Sequence, residues 1–90
     1  MAIRVNIPTP MRQHTGGKAV VEAAGKTVKE VLDDACRQFP ALSQRLFENG
    51  QVRRFVNVYL NDEDVRYLDN LGTATTDGAE ISIIPAVAGG

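Results

Sequence analysis

The chain is poor in the residues that build metal and redox sites. Its 90 residues include one cysteine, Cys36, one histidine, His14, and no tryptophan. A lone cysteine has no partner for an internal disulfide, and one thiol with one imidazole falls short of the four ligands of a structural zinc site. The sequence therefore predicts no metal site and no disulfide, and it fits a reducing, cytoplasmic compartment.

An excess of charge of one sign is also missing. Ten Lys and Arg residues stand against eleven Asp and Glu residues, and the net charge is -1 without a long block of like charges. Binding to nucleic acid or to an anionic membrane surface depends on clustered basic residues. The composition therefore predicts neither as a partner, and the start MAIRVNIPTP lacks the apolar core of a signal peptide.

Apolar residues occur in short segments, as expected for one compact domain. Ile3, Val5 and Ile7 alternate with polar residues, which is typical of a half-buried strand, and Pro8 ends it. After the glycine turn HTGG, a second strand is expected to pair with the first in a loosely connected antiparallel hairpin. This second strand is predicted at 18–23. Further strands are predicted at 54–60, at 79–84 and, as a short one, around 65–67.

One amphipathic helix is predicted in TVKEVLDDACRQFP. Thr27 and Glu30 have the spacing of a capping box, and Pro40 is expected to end the helix. The following ALSQRLFENGQ predicts a short helical turn and a loop. The apolar face of the helix comprises Val28, Val31, Leu32, Ala35, Cys36 and Phe39.

The order of these elements predicts an α+β fold. A hairpin, a right-handed crossover helix and a returning parallel strand form the plan of the β-grasp, or ubiquitin-like, fold. We expect a mixed sheet of four to five strands with one main helix packed on one face. Residues 1–84 would form the β-grasp domain, and residues 85–90 a flexible C-terminal Gly-Gly tail.

Several segments that resemble reactive sites have simpler structural interpretations. The GKT of residues 25–27 lacks the glycine that a phosphate-binding loop needs at position 20, where Val20 stands, so Gly25 and Thr27 predict a turn and a helix cap. Cys36 shares the apolar face of the helix, which predicts a structural role. His14 is expected on the surface, and NDED at 61–64 is predicted to be a charged turn because the rest of a calcium loop is missing.

Two sites of function remain as predictions. Phe55 and Tyr59 fall on the strand face opposite the helix and are candidates for a partner-binding face. The slender, uncharged end of the chain predicts a tail that threads into partner enzymes and presents a carboxylate at Gly90. The residues of this tail before Gly90 are Pro85, Ala86, Val87, Ala88 and Gly89.

The segment TDGAEISIIPAVAGG, residues 76–90, resembles the C-terminal signature of the MoaD/ThiS family of ubiquitin-like sulfur carriers. Similarity to these carriers extends to NIPTPMRQHTGG, RFVN and LNDEDVR. The resemblance implies that Gly90 is adenylated by an enzyme similar to ubiquitin-activating enzymes, which consumes ATP, and that Gly90 is then converted to a thiocarboxylate. It also implies a carrier that is a co-substrate rather than an enzyme and that binds no cofactor of its own.

The breadth of the resemblance favours the members of the family that serve cysteine biosynthesis. Their partners would be a pyridoxal-phosphate-dependent cysteine synthase and a protease that releases cysteine. Other roles stay open, namely a sulfur carrier for molybdopterin synthase or thiazole assembly, a ubiquitin-like protein modifier, and an interaction domain whose tail has no chemistry.

Overall fold

The computed structural model describes residues 2–49, 51–53 and 56–85. The strands and α-helices are β1 (Ile3–Asn6), β2 (Val20–Ala23), α1 (Val28–Gln38), α2 (Pro40–Leu46), β3 (Phe47–Glu48), β4 (Gln51–Val52), β5 (Val56–Leu60), β6 (Glu63–Asp64) and β7 (Glu80–Pro85). Short 3-10 helices lie at Thr9–Thr15, Val65–Tyr67 and Asn70–Gly72.

Five strands form one mixed sheet in the order β2-β1-β7-β5-β6. Strand β7 is central and runs parallel to β1, with Val5 opposite Ile81, while the other neighbouring pairs are antiparallel. Helix α1 packs on one face of this sheet through its buried side. The predicted α+β class and β-grasp fold are therefore confirmed, and β3 and β4 add a separate small hairpin.

The core lies between α1 and the sheet. Val28, Val31, Leu32 and Ala35 of α1 are fully buried, whereas Cys36 and Phe39, predicted on the same face, are half-buried at its margin. The sheet contributes alternate residues of its strands, as the period of two predicts. The buried sheet residues are Ile3, Val5, Val21, Ala23, Val58, Leu60, Ile81 and Ile83.

Helix α1 begins with the predicted capping residues, in a modified arrangement. The Thr27 hydroxyl accepts a hydrogen bond from the Glu30 amide at 3.2 Å, as an N-cap should. The Glu30 carboxylate, however, accepts from the amide of Lys26 at 2.9 Å, one residue before the cap. These contacts use amides at the helix start, which supports a structural role for the GKT segment.

The prediction that Pro40 ends the helix is confirmed, because α1 ends at Gln38 with Phe39 as its C-cap. Pro40 is the first residue of α2, where the missing N–H costs nothing because the first turn of a helix has no intrahelical acceptor for it. The short helical turn expected after it corresponds to α2, and the expected loop contains the β3–β4 hairpin. The loose connection expected between the first two strands is likewise structured, as a 3-10 helix at Thr9–Thr15.

The short strand expected around residues 65–67 lies earlier in the chain. Asn61 and Asp62 have φ values of 50° and 71°, so the chain reverses through a two-residue turn, and β6 pairs Glu63 with Leu60. Residues Val65–Tyr67 then form a 3-10 helix. The shift follows from the tightness of the turn, because Asn and Asp tolerate the left-handed conformation that it requires.

Candidate functional site

The base of the predicted tail belongs to the sheet. Pro85 is the last residue of β7 and lies opposite Val56 of β5. The Asn61 amide donates to the Glu80 carbonyl at 2.8 Å, which sets the alternation of hydrogen-bonded pairs along β5 and β7. By that alternation Val56 and Pro85 form a non-hydrogen-bonded pair, so proline breaks no bond of the ladder at this position.

Pro85 is therefore the last described residue of the central strand of the sheet. Strand β7 is central in the sheet, and its Ile81 and Ile83 are buried in the core. The remaining residues predicted to thread into partner enzymes, Ala86, Val87, Ala88 and Gly89, lie outside the described residues, as does Gly90, the predicted site of attachment. The strand that precedes these residues is paired on both sides, with β1 and with β5.

Tyr59 lies on the sheet face opposite α1, as predicted. It stands opposite Ser82 of β7, and Ser82 accepts a hydrogen bond from the Asn6 side chain at 3.1 Å. Ile84 and Val20 also project on this face and expose 43% and 42% of their surface. Tyr59 itself is half-buried. Phe55, the other residue of the predicted partner-binding face, lies outside the described residues. Ile84 was not singled out from the sequence, although its alternation with the buried Ile83 placed it on this face.

Replacing both Phe55 and Tyr59 with serine should weaken binding to a partner enzyme more than it lowers the melting temperature. Aromatic side chains at the centre of an interface contribute about 2 kcal/mol or more each when truncated. Calorimetric binding and thermal unfolding of the same variant check the ranking. A variant that loses stability but keeps its affinity would assign both side chains to the core.

The NDED segment contains a buried carboxylate at its end. Asp64 is 6% exposed and accepts hydrogen bonds from the Arg66 amide at 2.9 Å and from the Arg66 guanidinium at 2.8 Å. The guanidinium hydrogen bond, followed by the amide, holds the pKa of Asp64 below its ordinary value. The prediction of a charged turn is right for Asn61 and Asp62, while Asp64 has a structural role beside the 3-10 helix.

Acid should destabilise the protein through Asp64. Because the pKa of Asp64 is lower in the folded chain than in the unfolded one, its stabilising effect is present above the unfolded value of about 4 and is lost as the pH falls through the folded value. Asp64→Asn should flatten the decline of the free energy of unfolding below about pH 4. Urea titrations at several pH values test this. Asp62→Asn is the matched control, since asparagine tolerates the left-handed turn, and an equal effect of both changes would contradict the assignment.

The environment of Cys36 makes its thiol a poor nucleophile. Its thiol is half-buried, and burial, aided by the nearby Asp33 carboxylate, raises its pKa to about 11. A thiol with such a pKa is protonated at neutral pH, whereas the thiolate is the nucleophile. The geometry therefore supports the predicted structural role.

Substitution of Cys36 by alanine should lower the free energy of unfolding by about 1 kcal/mol through lost apolar packing. Sulfur loading of the chain should be unchanged, because the thiol takes no part in it. Chemical denaturation and intact mass after loading measure the two effects. A folded variant that no longer receives sulfur would show that Cys36 carries sulfur itself.

His14 lies at the surface, as predicted, but it is not fully solvated. It is half-buried, and its Nε2 accepts a hydrogen bond from Arg45 Nε at 3.1 Å. This contact links the 3-10 helix at Thr9–Thr15 to α2. No local sequence pattern predicts this contact, since the two residues lie 31 positions apart. No helix within the described ranges is long and apolar enough to cross a membrane.

Comparison with known proteins places the chain in one family. The family model described as the ThiS family matches residues 5–90. The sulfur carrier protein CysO of Mycobacterium tuberculosis is 46% identical over 93 residues, with all of both chains covered. The small archaeal modifier protein 3 of Haloferax volcanii is 42% identical over 64 residues, which cover 71% of this chain and 70% of that protein.

A solved structure shares nearly the whole fold. CysO in the Amycolatopsis orientalis BexX/CysO complex superposes with a TM-score of 0.92 at 47% identity, covering 99% of this chain and 100% of that one. The agreement in fold and in sequence extends over the entire domain. The chain therefore belongs to the ThiS family and is a ubiquitin-like sulfur carrier protein.

Proposed function

We propose that Gly90 carries the sulfur as a C-terminal thiocarboxylate. The observation that carries the proposal is the ThiS family match, which continues through residue 90 on a fold shared with CysO. The sheet supports the same role, because β7 holds the chain as far as Pro85 and the segment beyond it ends in two glycines. Glycine has no Cβ, so such a segment fits a narrow channel.

The chemistry proceeds in two substitutions. The Gly90 carboxylate attacks the α-phosphorus of ATP, pyrophosphate leaves, and an acyl-adenylate forms. Sulfide then attacks the glycine carbonyl, AMP leaves, and the thiocarboxylate remains. A carboxylate is a poor electrophile before activation, and the adenylate supplies the leaving group that the second step needs.

The chain acts as a co-substrate in this scheme. A similar carrier assembles with another protein, since CysO forms a complex with BexX in Amycolatopsis orientalis. We infer that this chain likewise docks on an adenylating enzyme of the ubiquitin-activating type and on the enzymes that accept its sulfur, in the cytoplasm. Catalytic groups and cofactors, ATP included, belong to those partners.

Cysteine biosynthesis is the pathway that the comparisons favour, because relatives at 46% and 47% identity over the whole chain are named CysO. The acceptor would be an aminoacrylate that a pyridoxal-phosphate-dependent cysteine synthase forms from an activated serine. The thiocarboxylate sulfur adds to its β-carbon, and an S-to-N acyl shift leaves cysteine in amide linkage to Gly90. A protease then hydrolyses that amide and releases cysteine.

Intact mass spectrometry tests the loading step. Incubation with ATP, sulfide and the adenylating enzyme should raise the mass by the difference between a sulfur and an oxygen atom. Adding the cysteine synthase and O-phosphoserine should then give a chain that is heavier than the unmodified chain by one cysteine residue. An unchanged mass under conditions that load a CysO would overturn the carrier mechanism. Reaction with a molybdopterin precursor or a thiazole synthase alone would overturn the pathway and leave the carrier mechanism standing.

A second function is favoured by the similarity to small archaeal modifier protein 3. The same acyl-adenylate reacts with a lysine amine instead of sulfide, which gives an isopeptide bond between Gly90 and another protein. Peptide mapping of material isolated from the native cell distinguishes the two. Branched peptides at lysine indicate a modifier, whereas a free thiocarboxylate indicates a carrier.

A further inference from the structure

A groove of about 540 Å³ opens beside β5, on the side of that strand away from β7. One wall comes from β4 and Arg53, and the other from the end of β6 and the two 3-10 helices that follow it. The lining residues are Gln51, Val52, Arg53, Val56, Asn57, Val58, Asp64, Val65, Arg66, Asn70 and Leu71. The function proposed above makes no use of this groove.

The two edges of the sheet differ in how they are covered. At the β2 edge, Gln38 of α1 donates to the Glu22 carbonyl at 2.9 Å and Asp34 accepts from the Ala24 amide at 2.9 Å. Side chains of α1 thus occupy backbone groups of that edge. At the other edge, β6 pairs with Tyr59 and Leu60 of β5, and within the described ranges no strand pairs along the far side of 56–58. This part of the edge faces the groove.

The groove has an apolar floor and a positively charged rim. Val52, Val56 and Leu71 are partly exposed, while Arg53 and Arg66 on the rim are exposed. Arg66 uses Nε and Nη2 to bind Asp64, and so cancels the one carboxylate among the described lining residues. Neither Nη1 of Arg66 nor the Arg53 guanidinium hydrogen-bonds to another side chain or carbonyl of the described part of the chain. The rim is therefore locally cationic on a chain of net charge -1.

The groove lies one strand away from Pro85, the last described residue of β7. Val56 lines it, and Val56 is the residue opposite Pro85, the end of β7. An enzyme that holds the residues after Pro85 has this groove within one strand of the end of β7. The position of the groove near Pro85 and the positive charge of its rim favour an acidic part of an enzyme that binds the C-terminal residues.

We propose that this groove docks an acidic segment of the adenylating enzyme, with an apolar side chain on the floor and flanking carboxylates on Arg53 and Arg66. The proposal rests on the function proposed above, because that enzyme is the partner named there. Arginine pairs with carboxylates through two parallel hydrogen bonds, which gives both attraction and orientation. Such rim charges act mainly on the rate of association and on its salt dependence.

The experiment uses the full-length chain and a purified adenylating enzyme that loads it with sulfur. Arg53→Glu should raise the KM for the carrier about tenfold and leave kcat within about twofold, because encounter is impaired and the chemistry at Gly90 is not. The rise of KM with added salt should be shallower for Arg53→Glu than for the wild-type chain. Arg37→Glu is the matched control, since Arg37 is an exposed arginine of α1 and does not line the groove. Its KM should stay within about twofold of the wild-type value.

The outcomes separate the two proposals. Failure of the wild-type chain to become loaded overturns the proposed function, and the docking proposal with it. Normal loading with equal KM values for Arg53→Glu and the wild-type chain overturns the docking proposal alone. Equal increases for Arg53→Glu and Arg37→Glu would show a general charge effect and also overturn it. Self-association through the groove, seen as a concentration-dependent molecular mass that Arg53→Glu abolishes, would assign the surface to a second copy of the chain instead.

Discussion

Deletion of Gly90, or addition of one residue after it, should abolish sulfur loading. The reacting atom is the carbonyl carbon of Gly90, and a shift of one residue moves the carboxylate by about 3.5 Å along an extended chain. Misplacement of a reacting group by even 1 Å costs about a hundredfold in rate. The deletion variant should therefore lose at least that factor in the rate of mass increase with ATP, sulfide and the adenylating enzyme.

The fold of the deletion variant should be unchanged. Within the described residues, the last pair of the sheet register is Val56 with Pro85, five positions before the deleted residue, and the buried core residues all precede it. The melting temperature should thus equal that of the intact chain. Ala88→Ser is a suitable control, because it alters the tail and keeps the position of the terminal carboxylate. Loading of the deletion variant at the wild-type rate would contradict Gly90 as the site.

Periodicity was sufficient to predict the elements that build the core. Helix α1 has a full apolar face between a capping residue and a proline-flanked end, and β7 alternates through Ile81 and Ile83. Elements of two residues, such as β3 and β6, have no period to detect. Pro40 marks the end of α1 and also begins α2, because proline is favoured both after a helix and at the first position of the next one.

The candidate site was predictable in one part and not in another. The family signature at the end of the sequence indicated Gly90, since its residues are contiguous. The groove depends on tertiary placement, because it combines Arg53 with Arg66 and Leu71 from segments that meet across β5. Likewise, the pairing of Pro85 with Val56 follows from sheet register, which strand patterns alone do not fix when several strands of similar length compete.

Gly25→Ala should be the most destabilising small substitution considered for this chain. A Cβ at Gly25 would lie 2.6 Å from the Val31 amide nitrogen, 2.7 Å from Glu30 Cβ and 2.8 Å from the Glu30 carbonyl carbon. Two of these atoms belong to the backbone of α1 and cannot rotate away. Glycine is thus required by close approach of the chain to the helix, rather than by the turn that the sequence predicted.

The loss should be about 3 kcal/mol in the free energy of unfolding, as for an overpacked site, which corresponds to roughly 12–24 °C in melting temperature for a domain of this size. The added methyl group would displace the segment around Gly25. That segment also makes a tertiary contact, since Thr75 Oγ1 donates to the Gly25 carbonyl at 2.7 Å. Thermal and urea unfolding measure the effect.

Gly72→Ala provides the matched control for Gly25→Ala. Nothing lies within 4 Å of a Cβ built at Gly72, so this change should alter stability by less than about 1 kcal/mol. Equal melting temperatures for the two variants would show that α1 moves to accept the methyl group at little cost. A Gly25→Ala chain that is still folded at low temperature should be loaded with sulfur there, because the Gly90 carboxylate is intact. Loss of loading on warming would then follow the unfolding curve, whereas deletion of Gly90 inactivates a chain that remains folded at every temperature below its melting point.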